Sequence, residues 1–330
     1  MIKVLFVFSN RKGKGISPFI ENQLNSLIKT GFVEIKTFSI TKRNLIGYFQ
    51  SISILKRIIN KESFDIIHAH YGFSGVISKI AGFNRKVVVS FLGDDLMGNV
   101  KSNGSYSKKS KVLVFINKFF AKYFFDINIV KSQSLADTFF KNTQFIIIPN
   151  GVDLDFFTPI EKKIARNKIK LSEDEKYFLF LGDPKRNVKN YKLFEASLKN
   201  IKEVTNYKIL ILKGIDKENV NLYYNSADIC VLSSLHEGSP NVIKEGMACN
   251  TIIVSTNVGD VNWLFGNANG YFISEPDPIS FSKAIEKAIL FEKQSLIPNG
   301  RERIKLLGLD NNNIAMKILD IYKSICKKQV

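Results

Sequence analysis

Two glutamates eight residues apart, Glu237 and Glu245, enclose the most informative chemistry in this sequence, with Gly238, Ser239 and Pro240 between them. Residues 228–233 read as a buried strand and 251–255 as the next one, so the glutamates belong to a loop and a short helix joining two strands. Pro240 suits the first helical position, where its missing N–H costs nothing, and Ser239 then falls at the N-cap. A helix N-terminus that follows the carboxyl end of a parallel strand presents unpaired N–H groups and a positive dipole end to an anion. A phosphate fits there. Glu245, about two turns into the helix, repels an anion and suits a hydroxyl-bearing partner such as a ribose. Glu237, at the loop mouth, is placed to grip a second polyol.

The rest of the chain has to position this stretch. Its 330 residues are natural for two domains, and 45% hydrophobic with 24% charged residues describes a globular protein. No apolar run approaches the ~18 residues that cross a bilayer. At the N-terminus the basic cluster follows the apolar segment, the reverse of a secretion signal, so residues 1–9 read as a first strand and a cytoplasmic location is expected. Cys230, Cys249 and Cys326 are far apart with no C-x-x-C pair, which argues against a zinc site or a disulfide framework. The net charge of +18 is uneven: residues 1–155 hold 22 Lys/Arg against 10 Asp/Glu, and residues 156–330 hold 26 against 20. Nucleic acid, an anionic membrane surface and anionic small substrates are all compatible with that excess.

In chain order, strand 2–9 runs into Gly13 and Gly15, followed by a helix from Phe19. Pro18 stands where the third glycine of a dinucleotide-binding G-x-G-x-x-G would fall, and no G-K-[ST] closes a Walker A loop. The glycines still let a backbone approach a ligand closely. A helix over 42–61 carries Leu45, Phe49, Ile52, Leu55 and Ile59 on one face and basic residues at its ends. The strand 65–70 ends in His68 and His70, read as pointing to opposite faces, with a binding role for His70. Strand 86–92 ends in Asp94 and Asp95, one of them a polar contact rather than half of a metal site. The basic, aromatic helix 108–125 has two readings: a core-facing helix with a solvated lysine face, or a membrane-surface contact. Asp153 and Asp155 read as turn chemistry in a Pro-Asn-Gly connection, and residues 160–176 as a surface connection. A second alternation of strands and helices then begins, and helix 313–327 closes the chain.

These motifs resemble glycosyltransferase family 4, and the resemblance covers most of the chain. Its most specific element is Glu237-x7-Glu245 within GSPNVIKEGMAC, followed by IIVSTNVGD; DIIHAH, FLGDDL, IIPNGVDLDFF, FLGDPKRNVKNY and YNSADICVLSS support it. Several of these suit the branch that builds capsule, teichuronic acid and lipopolysaccharide O-antigen. The resemblance implies an α/β fold of the GT-B type, two Rossmann-like doubly wound domains facing across a cleft. The first, 1–155, would lie on the acceptor side; the second, 156–330, would bind a nucleotide sugar, with the last helix packing back on the first.

It also implies residue roles. Lys189 and Arg186 would clasp the donor diphosphate, Glu237 the transferred sugar and Glu245 the ribose. Gly238, Ser239, Pro240, Asn241 and Val242 would form the backbone cradle, Lys213 and Gly214 would meet the base, and Gly15 would line the donor site. His70, Asp94 and Asp95 would stand on the acceptor side. No metal and no cofactor is implied beyond the substrate, a UDP- or GDP-sugar. The chain departs from the family pattern at Leu92, where many members have His, at Asp183, where many have Arg, and at Asn250, which replaces a glycine. The leading expectation is a metal-independent retaining transferase moving a hexose or N-acetylhexosamine to a polysaccharide or lipid-linked acceptor, with no nucleic-acid partner, and peripheral on the inner face of the cell membrane. Two alternatives stay open: a non-hydrolysing nucleotide-sugar epimerase, and a basic membrane- or nucleic-acid-binding protein without catalysis.

Overall fold

A computed structural model describes residues 1–10, 15–41, 45–98, 107–201 and 207–327. Gly13, Lys42 and Arg43 lie outside the described residues. The chain divides into two compact units, Met1–Gly151 with Asn311–Val330, and Val152–Asp310. The division falls at 151/152 rather than 155/156, because Val152 already pairs with the end of its own unit: its N–H donates to Leu309 O at 2.9 Å and it forms a parallel bridge with Asp310.

The first unit runs β1 (Ile2–Ser9), α1 (Pro18–Lys29), β2 (Val33–Ile40), α2 (Leu45–Lys61), β3 (Ile66–His70), α3 (Gly72–Ala81), β4 (Lys86–Ser90), α4 (Asp94–Met97), α5 (Lys108–Tyr123), β5 (Ile127–Val130), α6 (Gln133–Ala136) and β6 (Ile146–Ile147). Its described strands form one parallel sheet in the order β2-β1-β3-β4-β5-β6. The second unit continues with α7 (Lys162–Lys168), β7 (Lys176–Phe180), α8 (Tyr191–Leu198), β8 (Tyr207–Ile211), α9 (Val220–Ser226), β9 (Ile229–Leu232), α10 (Asn241–Ala248), β10 (Ile252–Thr256), α11 (Val261–Phe265), β11 (Tyr271–Ser274), α12 (Pro278–Lys293) and α13 (Gly300–Leu306). Its parallel sheet has the order β11-β10-β9-β7-β8. The last helix, α14 (Asn311–Lys327), returns to the first unit and packs on α1.

Strands covered by helices on both faces must be apolar throughout rather than alternating. The runs Val4–Phe8, Phe178–Leu181 and Ile229–Leu232 obey this and are almost completely buried. Helix starts carry the expected chemistry: Pro18 and Pro278 sit in first turns, and Asp277 caps α12 by accepting from the N–H groups of Ile279 and Ser280.

The folded chain departs from the sequence reading in four places. In α2 the buried face carries Ser51, Leu55 and Ile59 with Tyr48 and Ile52 packed beside it, while Phe49 is 70% exposed. In α5 Ser110, Asn117 and Ala121 are buried and Ile116 and Phe120 pack against the core, while Val112, Phe115, Phe119 and Tyr123 face outward. The apolar and aromatic residues are thus divided between the core side and the solvent face. His68 and His70 do not point apart; residues two apart in a strand share a face, and their rings stack at 4.6 Å. Finally, residues 160–176 contain α7, whose Arg166 is buried and bonds Asp228 at 2.8 Å, so this segment is part of the second unit's packing.

Candidate active site

The carboxyl ends of β7, β9 and β10 bring three loops of the second unit together. The loop after β7 leads to a short 3-10 turn at Asn187–Lys189, and Asn190 leaves that turn with φ of +48°, a conformation asparagine tolerates. Ser233, just past β9, donates to the carbonyls of Lys189 and Asn190, and Leu235 N–H donates to Val188 O at 2.8 Å. Thr256, at the end of β10, donates to Ser234 O at 2.7 Å. The loops are therefore stitched through backbone, and the charged side chains they carry stand on a fixed frame.

Lys189 and Glu237 meet on that frame. The lysine stem passes over Gly182, where an added Cβ would come within 2.9 Å of Lys189 Cδ. Its Nζ then lies 2.6 Å from Glu237 Oε1, and Ser234 Oγ donates to the same oxygen at 2.8 Å. Both charged side chains are largely but not fully covered, at 11% and 20% exposure. Arg186, three residues before Lys189, is exposed on the same loop.

Glu245 sits half-buried in the second turn of α10, and Tyr224 of α9 donates to its Oε2 at 2.9 Å, with Val242 O at 3.1 Å from the same hydroxyl. Burial pushes the Glu245 carboxyl up, and the tyrosine hydrogen bond and the neighbouring Lys244 charge oppose that shift. Tyr224 is fully buried and belongs to the YNSADICVLSS run, yet nothing in its spacing marked it as the residue that orients Glu245.

At the start of α10 the N-cap is Pro240, in extended conformation, and Asn241 is the first helical residue. Ser239 is not the cap, because its hydroxyl donates instead to Asp260 Oδ2 at 2.7 Å. Gly238, Ser239 and Pro240 are buried, and Asn241 and Val242 are half-buried in the first turn. Gly259 is fixed by its surroundings: it has φ of +61°, and a Cβ there would stand 2.8 Å from Gly238 O. Lys213, after β8, pairs with Asp183 at 2.8 Å, and this hydrogen bond holds the Asp183 carboxyl below its usual range. Asp183 thus ties the loop after β7 to the end of β8. The neighbouring Gly214 has φ of +67° and open space on its side-chain side.

The remaining candidates lie in the first unit and are differently placed. His70 is 1% exposed, and burial, helped by the Lys131 charge, lowers its pKa to about 3. Among the described residues its Nε2 has no hydrogen-bond partner. Asp95 is consumed by its own loop, accepting from the N–H groups of Gly72 at 3.0 Å, Leu92 at 3.1 Å and Gly93 at 2.9 Å. Asp94 is exposed at the first position of α4. Gly15 is exposed, with nothing near its side-chain side. Asp153 makes a turn of its own, accepting from Asp155 and Phe156 N–H. No group of three metal-binding side chains occurs among the described residues.

Comparison with known proteins identifies the family and the fold. The model of Glycosyltransferase Family 4 matches residues 17–156, and that of Glycosyl transferases group 1 matches residues 162–290. A relative from Escherichia coli, UDP-Gal:alpha-D-GlcNAc-diphosphoundecaprenol alpha-1,3-galactosyltransferase, is 24% identical over 73% of this chain and 70% of its own length. Sucrose-phosphate synthase from Thermosynechococcus elongatus superposes with a TM-score of 0.78 at 17% identity, covering 100% of both chains. Anabaena Alr3699/HepE, solved with UDP-glucose, gives 0.73 at 15% identity over 98% of this chain and 100% of that one. With two parallel α/β sheets and family models matched on both units, the chain belongs to glycosyltransferase family 4, a hexosyltransferase of the GT-B fold.

Proposed function

We propose that this enzyme is a retaining transferase that moves a hexose or an N-acetylhexosamine from a UDP- or GDP-sugar to a polysaccharide or lipid-linked acceptor, by a same-face mechanism and without a divalent metal. The observation that carries the reading is the Lys189–Glu237 pair, 2.6 Å apart, on the frame that also carries the N-terminus of α10 and Glu245. In the donor complex Glu245, held by Tyr224, takes the ribose hydroxyls, and Glu237 takes hydroxyls of the sugar. Lys189 and Arg186 take the diphosphate with the backbone of Gly238 to Val242, while Lys213 and Gly214 approach the base. As the bond from the anomeric carbon to the phosphate oxygen breaks, negative charge grows on the diphosphate, and fixed cations and N–H dipoles stabilise it without reorganising. The acceptor oxygen bonds to the same face of that carbon and its proton passes to the departing phosphate. Protein cations thereby fill the role a metal would have. On the acceptor side, His70, Asp94 and Asp95 are the residues first proposed; the bonds of Asp95 favour a bracing role for it and leave Asp94 as the exposed carboxylate of the pair.

The HepE complex with UDP-glucose supports a UDP donor, and the E. coli relative's lipid-diphosphate acceptor supports a lipid-linked one. The test is a panel of UDP- and GDP-sugars with purified protein in EDTA. Donor hydrolysis or transfer with retained anomeric configuration is expected. A folded protein that neither binds nor turns over any donor defeats the proposal, and interconversion of a donor incubated alone supports an epimerase instead.

A second reading concerns location. On α5, Val112, Phe115, Phe119 and Tyr123 recur at helical spacing and all are exposed, with Lys111, Lys118 and Lys122 along one flank and Lys108 and Lys109 at the start. An aromatic stripe bordered by lysines is the pattern of a helix lying in the interface of an anionic bilayer, and it supports peripheral association with such a membrane. No helix among the described residues is long and apolar enough to cross one. Sedimentation with vesicles of anionic lipid, and not with neutral vesicles, is expected, and Phe115→Ser with Phe119→Ser abolishes it. Equal recovery in both supernatants removes the reading.

A further inference from the structure

Lys244 is a lysine with no solvent exposure, in the first full turn of α10. A helical side chain points back toward its N-terminus, and the ammonium duly reaches Ser239, its Nζ 3.1 Å from Ser239 Oγ. Ser239 in turn donates to Asp260 Oδ2 at 2.7 Å, so its one hydroxyl hydrogen is committed. Asp260 stands at the N-cap of α11, directly after Gly259, where a side chain would run into Gly238 O. Lysine, serine and aspartate thus form a continuous bonded row that holds the 238–241 segment through Ser239.

A leucine or methionine would fill the same volume without the cost of burying a charge, which is several kcal/mol per ion before pairing. Burial lowers the Lys244 pKa to about 8, with the charges of Asp260 and Glu245 holding it up. Of the helices packed on α10, α13 turns Arg301 to the carbonyls of Phe157, Leu154 and Ala248, and Arg303 to those of Leu264 and Trp263; α9 turns Tyr224 to Glu245. Asp260 and Glu245 are the charged groups whose fields act on the Lys244 ammonium.

We propose that Lys244 is a positioning residue for the donor diphosphate: through Ser239 and Asp260 it locks the Gly238–Asn241 segment in its anion-holding form and places a buried cation beneath it. The inference rests on the donor-site reading above and adds to it a cation that never touches substrate. Its cation sits in a low-dielectric setting, where its field on the segment above is less screened than that of an exposed lysine.

The test compares wild type, Lys244→Met and Ser239→Ala for binding of UDP and GDP by calorimetry, with uridine and guanosine as references. Methionine keeps the volume but leaves the buried Asp260 without its cation, so a loss of stability is expected beside the change in binding, and binding is compared on the folded variant. Lys244→Met is expected to weaken the bound diphosphate about tenfold or more, the scale of a lost charge-assisted contact, and the nucleoside less than twofold. Ser239→Ala keeps the lysine and breaks the row; it should weaken the diphosphate about threefold, and it decides the matter if Lys244→Met fails to fold. Raising the pH through about 8 should weaken diphosphate binding by the wild type and leave Lys244→Met flat. Unchanged diphosphate affinity in the variants, or equal loss for diphosphate and nucleoside, overturns the proposal while the site reading stands. If wild type binds neither diphosphate, the site reading falls and this inference with it.

Discussion

At the strand ends of the second unit, charged side chains remain partly open and pair with one another: Lys189 with Glu237, Lys213 with Asp183. At those of the first unit, the polar residues are turned inward, with Asp95 filled by three backbone N–H groups and His70 stacked on His68 and sealed from solvent. The same residue types therefore serve different ends. A side-chain pair can exchange its partner for a ligand, because each charge is satisfied by another mobile side chain and not by the fixed backbone. A carboxylate saturated by its own backbone holds a loop in shape and has nothing left to give.

Four measurements bear on this contrast. Lys189→Ala should lower kcat by roughly a hundredfold or more, equivalent to about 2.7–4 kcal/mol of barrier by analogy with a lost oxyanion-hole donor, with unfolding nearly unchanged. Full turnover in this variant would break the assignment of the pair to the donor. Asp95→Ala should do the reverse. It leaves three backbone donors unpaired and should cost about 3 kcal/mol of stability in a denaturant titration, while UDP-sugar affinity stays within twofold.

His70 supplies an acid test of the first unit. Its folded pKa is about 3 against 6.5 for a histidine in water, so the unfolded chain takes up the proton first. Stability from this group is present above pH 6.5 and lost as pH falls; about 2 kcal/mol should go between pH 6.5 and 5. In His70→Leu that loss should shrink, leaving the part due to His68, whose pKa burial also lowers. The smallest effect belongs to Tyr224→Phe. Removing the hydroxyl that orients Glu245 should raise the donor KM about fivefold, the worth of one hydrogen bond, and leave kcat near wild type.

Much of this was legible in the residues themselves. Apolar runs such as VLFVF and YFLFL announce strands covered on both faces, and Glu237 and Glu245 with their loop announce the polar cluster at the strand ends of the second unit. Pairings across sequence were not. Nothing local tells that Ser239 is claimed by Asp260 rather than by its own helix, or that Lys244 is buried rather than solvated. In α5 the aromatic residues suggest a core face, yet Phe120 packs there with Ile116 beside the buried Ser110, Asn117 and Ala121, and Phe115, Phe119 and Tyr123 face outward. Periodicity identifies a stripe but not the side it faces, and here the small residues allow close approach: a Cβ at Gly72 of α3 would already meet Asn117 at 2.6 Å. The histidines failed for a simpler reason, since residues two apart in a strand share a face.

The return of α14 to the first unit also sets an order of assembly. The second unit is one uninterrupted segment, Val152–Asp310, so it holds all of its own contacts before the last helix is synthesised. The first unit must wait, because its buried His68 is completed by the hydroxyl of Tyr322, 254 residues downstream. Closing the first unit over α1 therefore depends on a helix remote in sequence, whereas the second unit closes within one continuous segment.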